Sequence, residues 1–250
     1  MAEDQAKKPV ALAIGAGDAI GAAFARRFAG GGYTVVVARR DADRSAALVD
    51  ELRSAGHLCH ARSIDARDEE QVTALINSVE RDIGPVDVCL YNAGSNSAFP
   101  LLDTSATMFR KIWDLACFGG FITGREAARV MLLRGRGTIL YTGATASIRG
   151  GAGFAAFASA KFGLRALAQS MARELGPRGI HVAHLVIDGG VDSAAIHARK
   201  KAANNGQDIN IPEDHLIDTD AIAETYWSLV HQPRSAWTHE TDIRPFAEKW

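Results

Sequence analysis

The 250 residues carry 28 Lys and Arg against 29 Asp and Glu, a formal net charge of −1, so charge gives no global support for a nucleic-acid or anionic-membrane surface. With 47% of residues hydrophobic and 23% charged, the chain has ample material for a core, and no apolar run is long enough to span a bilayer. Cys59, Cys89 and Cys117 form no Cys-x-x-Cys pair. They read as reduced thiols of a cytoplasmic protein, and the polar first residues lack the apolar stretch of a signal peptide.

In chain order, short apolar runs alternate with helical patterns. Strands are expected at Val10–Ile14, Thr34–Ala38, Leu58–Ile64, Val86–Tyr91, Thr138–Thr142 and Val182–Ile187. Most lack polar alternation, as befits parallel strands covered on both faces. Helices are expected near 20–29, 44–55, 69–82, 105–133 and 154–175, with Gly56, Gly84-Pro85 and Gly176-Pro177 as stops. Strand–helix alternation without a linker or repeat implies an α/β fold: one doubly wound, Rossmann-type parallel sheet flanked by helices, forming a single domain. The stretch 190–218, polar and long, suggests a mobile lid over a substrate.

The first strand runs into Gly15-Ala16-Gly17-Asp18-Ala19-Ile20-Gly21 and then a helix. Glycines there let the backbone approach a pyrophosphate, and the helix start offers free N–H groups. Ala19 adds a methyl that is tolerable only at negative φ. The second strand ends in Arg39-Arg40-Asp41, where two guanidiniums suit a ribose 2′-phosphate and so favour NADP(H). Asp18 argues the other way, since its charge points toward the same ribose, and NAD(H) stays open. His57, Cys59 and His60 hold soft donors, but strand alternation splits them between faces, so no metal site is expected.

Further motifs follow in order: Asp65 after the third strand, Tyr91-Asn92-Ala93-Gly94 after the fourth, Thr142-Gly143-Ala144-Thr145 after the fifth, and Phe157-Ala158-Ser159-Ala160-Lys161 on the fifth helix. With the glycine-rich turn, this series resembles the short-chain dehydrogenase/reductase family over roughly residues 9–193. The resemblance implies an oxidoreductase using a pyridine dinucleotide, a small-molecule substrate and a homodimer or homotetramer. It places Arg39 where an NAD-preferring member has a carboxylate, and Arg40 at a recurrent NADP-binding arginine. Adenine would meet Asp65, and further cofactor contacts would come from Gly15, Gly17, Ile20, Gly21, Asn92, Ala93, Gly94, Thr142, Lys161, Gly189, Val191 and Ser193.

The same resemblance exposes a departure. Phe157 stands at the proton-donating Tyr, Ala144 at the carbonyl-holding Ser and Ala116 at the Asn that supports a proton-relay water. Only Lys161 is kept. Ser159 lies about 200° round the helix from Phe157 and is a poor substitute. Thr145 and Ser147 could swing into the pocket. Asp188 is open to two readings, a replacement acid or a cap on the following turn. The expected function is thus an NADP(H)-dependent oxidoreductase with an atypical active site, or else a catalytically silent dinucleotide-binding sensor or partner subunit. The aromatics and Arg244 of the tail Trp237–Trp250 suit either a subunit interface or a cover for the core.

Overall fold

The computed structural model describes residues 7–94 and 96–248; the first six residues, on which part of the signal-free start was read, lie outside it. Seven strands form one sheet: β1 (Val10–Ile14), β2 (Thr34–Arg39), β3 (Cys59–Ser63), β4 (Val86–Tyr91), β5 (Gly137–Thr142), β6 (Ile180–Ile187) and β7 (Glu240–Ile243). Their order is β3-β2-β1-β4-β5-β6-β7, and every pairing is parallel. The order reverses between β1 and β4, which opens a crevice at the carboxyl ends of the strands.

Period-two alternation feeds two cores. Val10, Leu12 and Ile14 face α3 (Glu69–Ser78), α5 (Gly119–Leu132) and α6 (Ala155–Leu175). Ala11 and Ala13 face the other side, against α1 (Ile20–Gly30), α2 (Ala46–Ser54) and α8 (Thr219–Val230). Small residues on that second face let α1 come close; its Phe24 and Phe28 stack at 4.1 Å, and they meet Tyr226 and Trp227 of α8 respectively. Among the described residues no helix is long and apolar enough to cross a membrane.

Three expectations need correction. The helix expected at 105–133 is broken into α4 (Ala106–Trp113), a π-helical turn over Asp114–Phe118, and α5. The cause is Tyr91: its hydroxyl donates to the Leu115 carbonyl, and Gly119 and Gly120 let the helix press against its ring. An inserted side chain of this kind is a recognised source of a π-bulge. The third strand is shorter than expected and runs from Cys59 to Ser63, although Leu58 O still accepts from Val35 N at 2.9 Å. α8 and, in the tail, a seventh strand also appear that the sequence pattern did not predict. There Trp237 stacks on His181 at 4.8 Å, and Arg244 pairs with Asp242.

The segment 190–218 is also more ordered in outline than a plain loop. A parallel bridge joins Val191 to Ile217, and backbone bonds from Ile217 N to Gly190 O and from Asp192 N to Ile217 O close its neck. Beyond the neck, α7 (Ala194–Ala203) has no buried residue.

Candidate active site and coenzyme groove

The groove starts where β1 ends. Gly15 has φ +81°, and a Cβ on it would run into the backbone of Ala93, so both conformation and space demand glycine. Asn92 locks this turn from β4: its N–H donates to Ile14 O at 2.8 Å and its side-chain amide to Gly15 O at 3.1 Å. A Cβ on Gly21 would lie 2.5 Å from Ala16 Cα, which fixes the angle at which α1 leaves the turn. Gly17 meets nothing within 4 Å and faces open space. Ala19 has φ −102°, so the methyl at this position brings no left-handed strain. No side chain caps α1 and no acid sits in its first turn, which leaves its leading amides open to an anion.

A cavity of about 480 Å³ runs along this edge. It gathers Gly15, Gly17, Arg39, Arg40, Asp65, Asn92, Ala93 and Gly94 of the expected residues. Arg39 Nη1 bonds Asp18 Oδ1 at 2.5 Å, and Arg44 Nη2 reaches Asp18 Oδ2 at 3.3 Å. The Arg39 bond holds the Asp18 carboxyl below the usual carboxylate range. Arg40 lines the same cavity. Asp65 accepts from Arg67 Nε, Nη2 and backbone N, and Arg67 likewise keeps its carboxyl low.

Arg44 and Leu115 are among the wall residues that sequence reading did not assign. Arg44 comes round on a single 3₁₀ turn, Ala42–Ser45, that Asp41 caps by accepting from Asp43 N; the Arg39-Arg40-x-x-x-Arg44 spacing was the available signal. Leu115 reaches the groove through the π-helical turn, which no local sequence pattern announces.

The second half of the site lies toward β5, β6 and α6, outside that cavity. Lys161 is buried, and its Nζ donates to the Thr142 carbonyl at 2.7 Å. Burial lowers its pKa to about 8. Phe157, one turn earlier and also buried, presents its ring 5.8 Å from Nζ. A Cβ on Gly94 would stand 3.5 Å from Nζ and 3.9 Å from Phe157 Cε2, so these three converge. Thr142 Oγ1 is occupied by the Tyr226 hydroxyl at 2.7 Å. Ala116 lies fully buried in the π-helical turn, beside Cys117 and Ala160. Burial raises the Cys117 thiol pKa.

Neither neighbouring hydroxyl is free to swing. Ser147 is buried and its Oγ accepts from Ala144 N at 3.1 Å; Thr145 Oγ1 donates to Asp188 Oδ1 at 2.6 Å. Asp188 in turn reaches across to the turn after β5 rather than to the turn following it. Buried at 2% exposure, it bonds Thr145, pairs with Arg149 at 3.3 Å and has Arg244 at 3.9 Å. Gly189 is held against Pro245, whose Cδ would lie 2.5 Å from an added Cβ. Val191 belongs to the neck of the 190–218 arm. Ser193 Oγ caps α7 by accepting from Ile196 N and also donates to Val191 O. Ile20 opens α1 beside the groove.

Comparison with known proteins joins these two halves. A family model described as short chain dehydrogenase matches residues 9–204. A 3alpha-hydroxysteroid dehydrogenase of Mediterraneibacter gnavus is 28% identical over 237 residues, 94% of each chain. A short-chain dehydrogenase/reductase of Armillaria gallica is 32% identical over 176 residues, 69% of this chain and 67% of the relative. Among solved structures, a short-chain dehydrogenase from Rhodopseudomonas palustris is 48% identical, with a TM-score of 0.81 over 95% of this chain and 99% of that one. An actinorhodin polyketide ketoreductase variant crystallised with NADPH shares the fold, with a TM-score of 0.86 at 23% identity over 95% and 96% of the chains.

Proposed function

The chain belongs to the short-chain dehydrogenase family, and on that footing we propose that it is an NADP(H)-dependent oxidoreductase whose reacting centre lacks the family's hydroxyl, phenol and amide. One observation carries the proposal: Lys161 is buried and tethered at the nicotinamide end while its neighbour one turn away is a phenyl ring. The groove supports the coenzyme half, since Gly17 leaves open the space a pyrophosphate needs and three arginines crowd the ribose end. Two fold relatives solved with NADPH or NADP point the same way. The bound dinucleotide would supply or accept a hydride.

The chain's own residues then divide the work. Arg39, Arg40 and Arg44 hold a 2′-phosphate by charge-assisted bonds. Asn92 keeps the glycine turn in shape, and the Lys161 ammonium orients the nicotinamide ribose. Phe157 and Ala144 exclude water and move no proton. A positioned general acid contributes about 10²–10⁴ in rate, so its loss selects substrates that need none. Activated C=N or C=C compounds qualify, as does a small molecule that delivers its own proton.

The same three positions also favour a second reading, a silent dinucleotide-binding sensor or partner subunit, because Phe157, Ala144 and Ala116 remove one chemical unit together. In either case a homodimer or homotetramer is proposed, supported by the exposed Phe109, Trp113, Phe121 and Phe162 of α4, α5 and α6. The test is a fluorescence titration with NADPH followed by NADPH oxidation against a panel of carbonyls, imines and enones. Turnover of any member supports the enzyme. Tight binding without turnover supports the sensor, and absence of binding overturns both.

A further inference from the structure

One buried cluster plays no part in the function proposed above. His184 of β6 has no side-chain exposure, and its Nδ1 lies 2.9 Å from Glu240 Oε2 on β7. Arg165 of α6 donates to the same carboxylate from Nε at 2.7 Å and from Nη2 at 2.5 Å. Those bonds, with the one to the histidine, hold the Glu240 carboxyl below its usual range, so it can only accept. The ring proton therefore sits on Nδ1, and Nε2 carries a bare lone pair. Burial opposes a second proton on the ring, and so do the charges of Lys161 and Arg165.

Among the described residues Nε2 has no hydrogen-bond partner. It is pressed instead against the end of β5, where a Cβ on Gly143 would stand 2.5 Å from Nε2 and 2.6 Å from Cε1. The imidazole thus fills the space of the side chain that Gly143 lacks. A buried acceptor left unmet costs stability, and a leucine would fill that space without the cost. What a leucine lacks is a donor to pin it to Glu240. Gly143 directly follows Thr142, whose carbonyl receives the Lys161 ammonium at 2.7 Å. Lys161 and Arg165 are four residues apart on α6 and so share one face of the helix. The contacts therefore close a circuit, from Lys161 to the end of β5, through the imidazole to Glu240, and back by Arg165 to α6.

We propose that His184 is a positioning residue for the reacting end: wedged between Gly143 and the Arg165-held Glu240, it fixes the Thr142 carbonyl and so the place of the Lys161 ammonium against the nicotinamide ribose. Phe157 offers that ammonium no oxygen, so the Thr142 carbonyl carries the task of holding it. Anything that braces this carbonyl then bears on coenzyme binding. The inference rests on the coenzyme reading above and adds to it a residue on a neighbouring strand.

The experiment is an NADPH fluorescence titration, repeated from about pH 6.5 to 9.5 so as to span the loss of the Lys161 charge. The Cys117 thiol, which acts on Lys161, is pushed up by burial. The proteins compared are wild type, His184→Ala, Gly143→Ala and the double variant, each with a melting curve. Withdrawing the wedge, or driving a methyl into it, should lower NADPH affinity about 5–20-fold at pH 7. Each should also lower, by about one unit, the pH above which affinity falls, because an ammonium without its carbonyl gives up its proton sooner. A role in stability alone would move the melting curve and leave that pH in place. The double variant removes the collision with the ring and keeps only a tight contact with Leu185 O, at 2.9 Å, so it should bind at least about threefold more tightly than Gly143→Ala. His184→Asn keeps a donor for Glu240 but falls short of Gly143; it stands in where His184→Ala does not fold and must act in the same direction. Affinity within about twofold of wild type in the His184 variants, an unmoved pH profile, or a double variant no better than Gly143→Ala overturns the proposal and leaves His184 as a core filler. Wild-type protein that binds no NADPH overturns the coenzyme reading itself, and the proposal with it.

Discussion

The two ends of the crevice are built from opposite materials. At the nucleotide end, charged side chains stand half in water, and Arg39, Arg44 and Asp18 satisfy one another. At the reacting end a lysine shut away from solvent faces a phenyl ring and a methyl-bearing strand end, with the buried Asp188 held by Thr145 and Arg149 nearby. On the proposed reading, the arginines serve coenzyme binding, the replaced positions Phe157 and Ala144 bear on chemistry, and Lys161 bears on both.

The sharpest way to break this contrast is to restore the missing groups. Phe157→Tyr combined with Ala144→Ser should raise carbonyl reduction by about 10²–10⁴ over the parent, read as NADPH oxidation with simple ketones. Lys161 is already placed one turn from the new phenol. A double variant that binds NADPH and stays inert towards every carbonyl would mean that the reacting end has diverged beyond these side chains.

Next in size is damage to the nucleotide end. Gly15→Val forces a β-branched residue to φ +81° and drives its Cβ into the backbone of Ala93. Strain and overpacking together cost about 2–5 kcal/mol. Urea unfolding should show that loss, and NADPH titration should show no binding.

How these ends were legible in the sequence follows the same division. Features encoded by local pattern were readable: unbroken apolar strands, the glycine turn, and the strand-end motifs at Asp65 and Asn92 that reappear on the groove wall. Features made by contacts distant in sequence were not. β7 is only Glu-Thr-Asp-Ile, half-exposed, and its role comes from Glu240, which receives Arg165 through two bonds and lies 2.9 Å from His184. Burial pushes the pKa of that histidine down to about 4. The partners of Asp188 lie 43 and 39 residues back along the chain, and no spacing rule announces them. The break before α5 is likewise written in Tyr91, on another element.

Lys161 links the two ends and allows a pH test. Its folded pKa of about 8 lies below the ordinary 10.5 because burial penalises the ammonium. The unfolded chain therefore holds more protons between about pH 8 and 10.5, and stability contributed through this residue rises with pH across that window. Below pH 8 the full penalty is present. Lys161→Met should accordingly be more stable than the parent at pH 7 by about 1–3 kcal/mol, after allowing for the unpaired Thr142 carbonyl. That advantage should fade as pH climbs from 8 to 10.5, while NADPH binding weakens throughout. An advantage independent of pH would mean that the methionine simply packs better.

The smallest effect separates support from function. Tyr226 of α8 is buried, and its hydroxyl meets Thr142 Oγ1 beneath the residue whose carbonyl holds Lys161. Tyr226→Phe leaves the Thr142 hydroxyl without that partner and should cost about 1 kcal/mol of stability. Because Lys161 bonds the Thr142 carbonyl rather than its hydroxyl, coenzyme affinity should change less than about twofold if strand β5 keeps its place. A larger fall in NADPH affinity would show that α8, on the far face of the sheet, sets the position of the lysine, and that the reacting end depends on packing well outside the crevice.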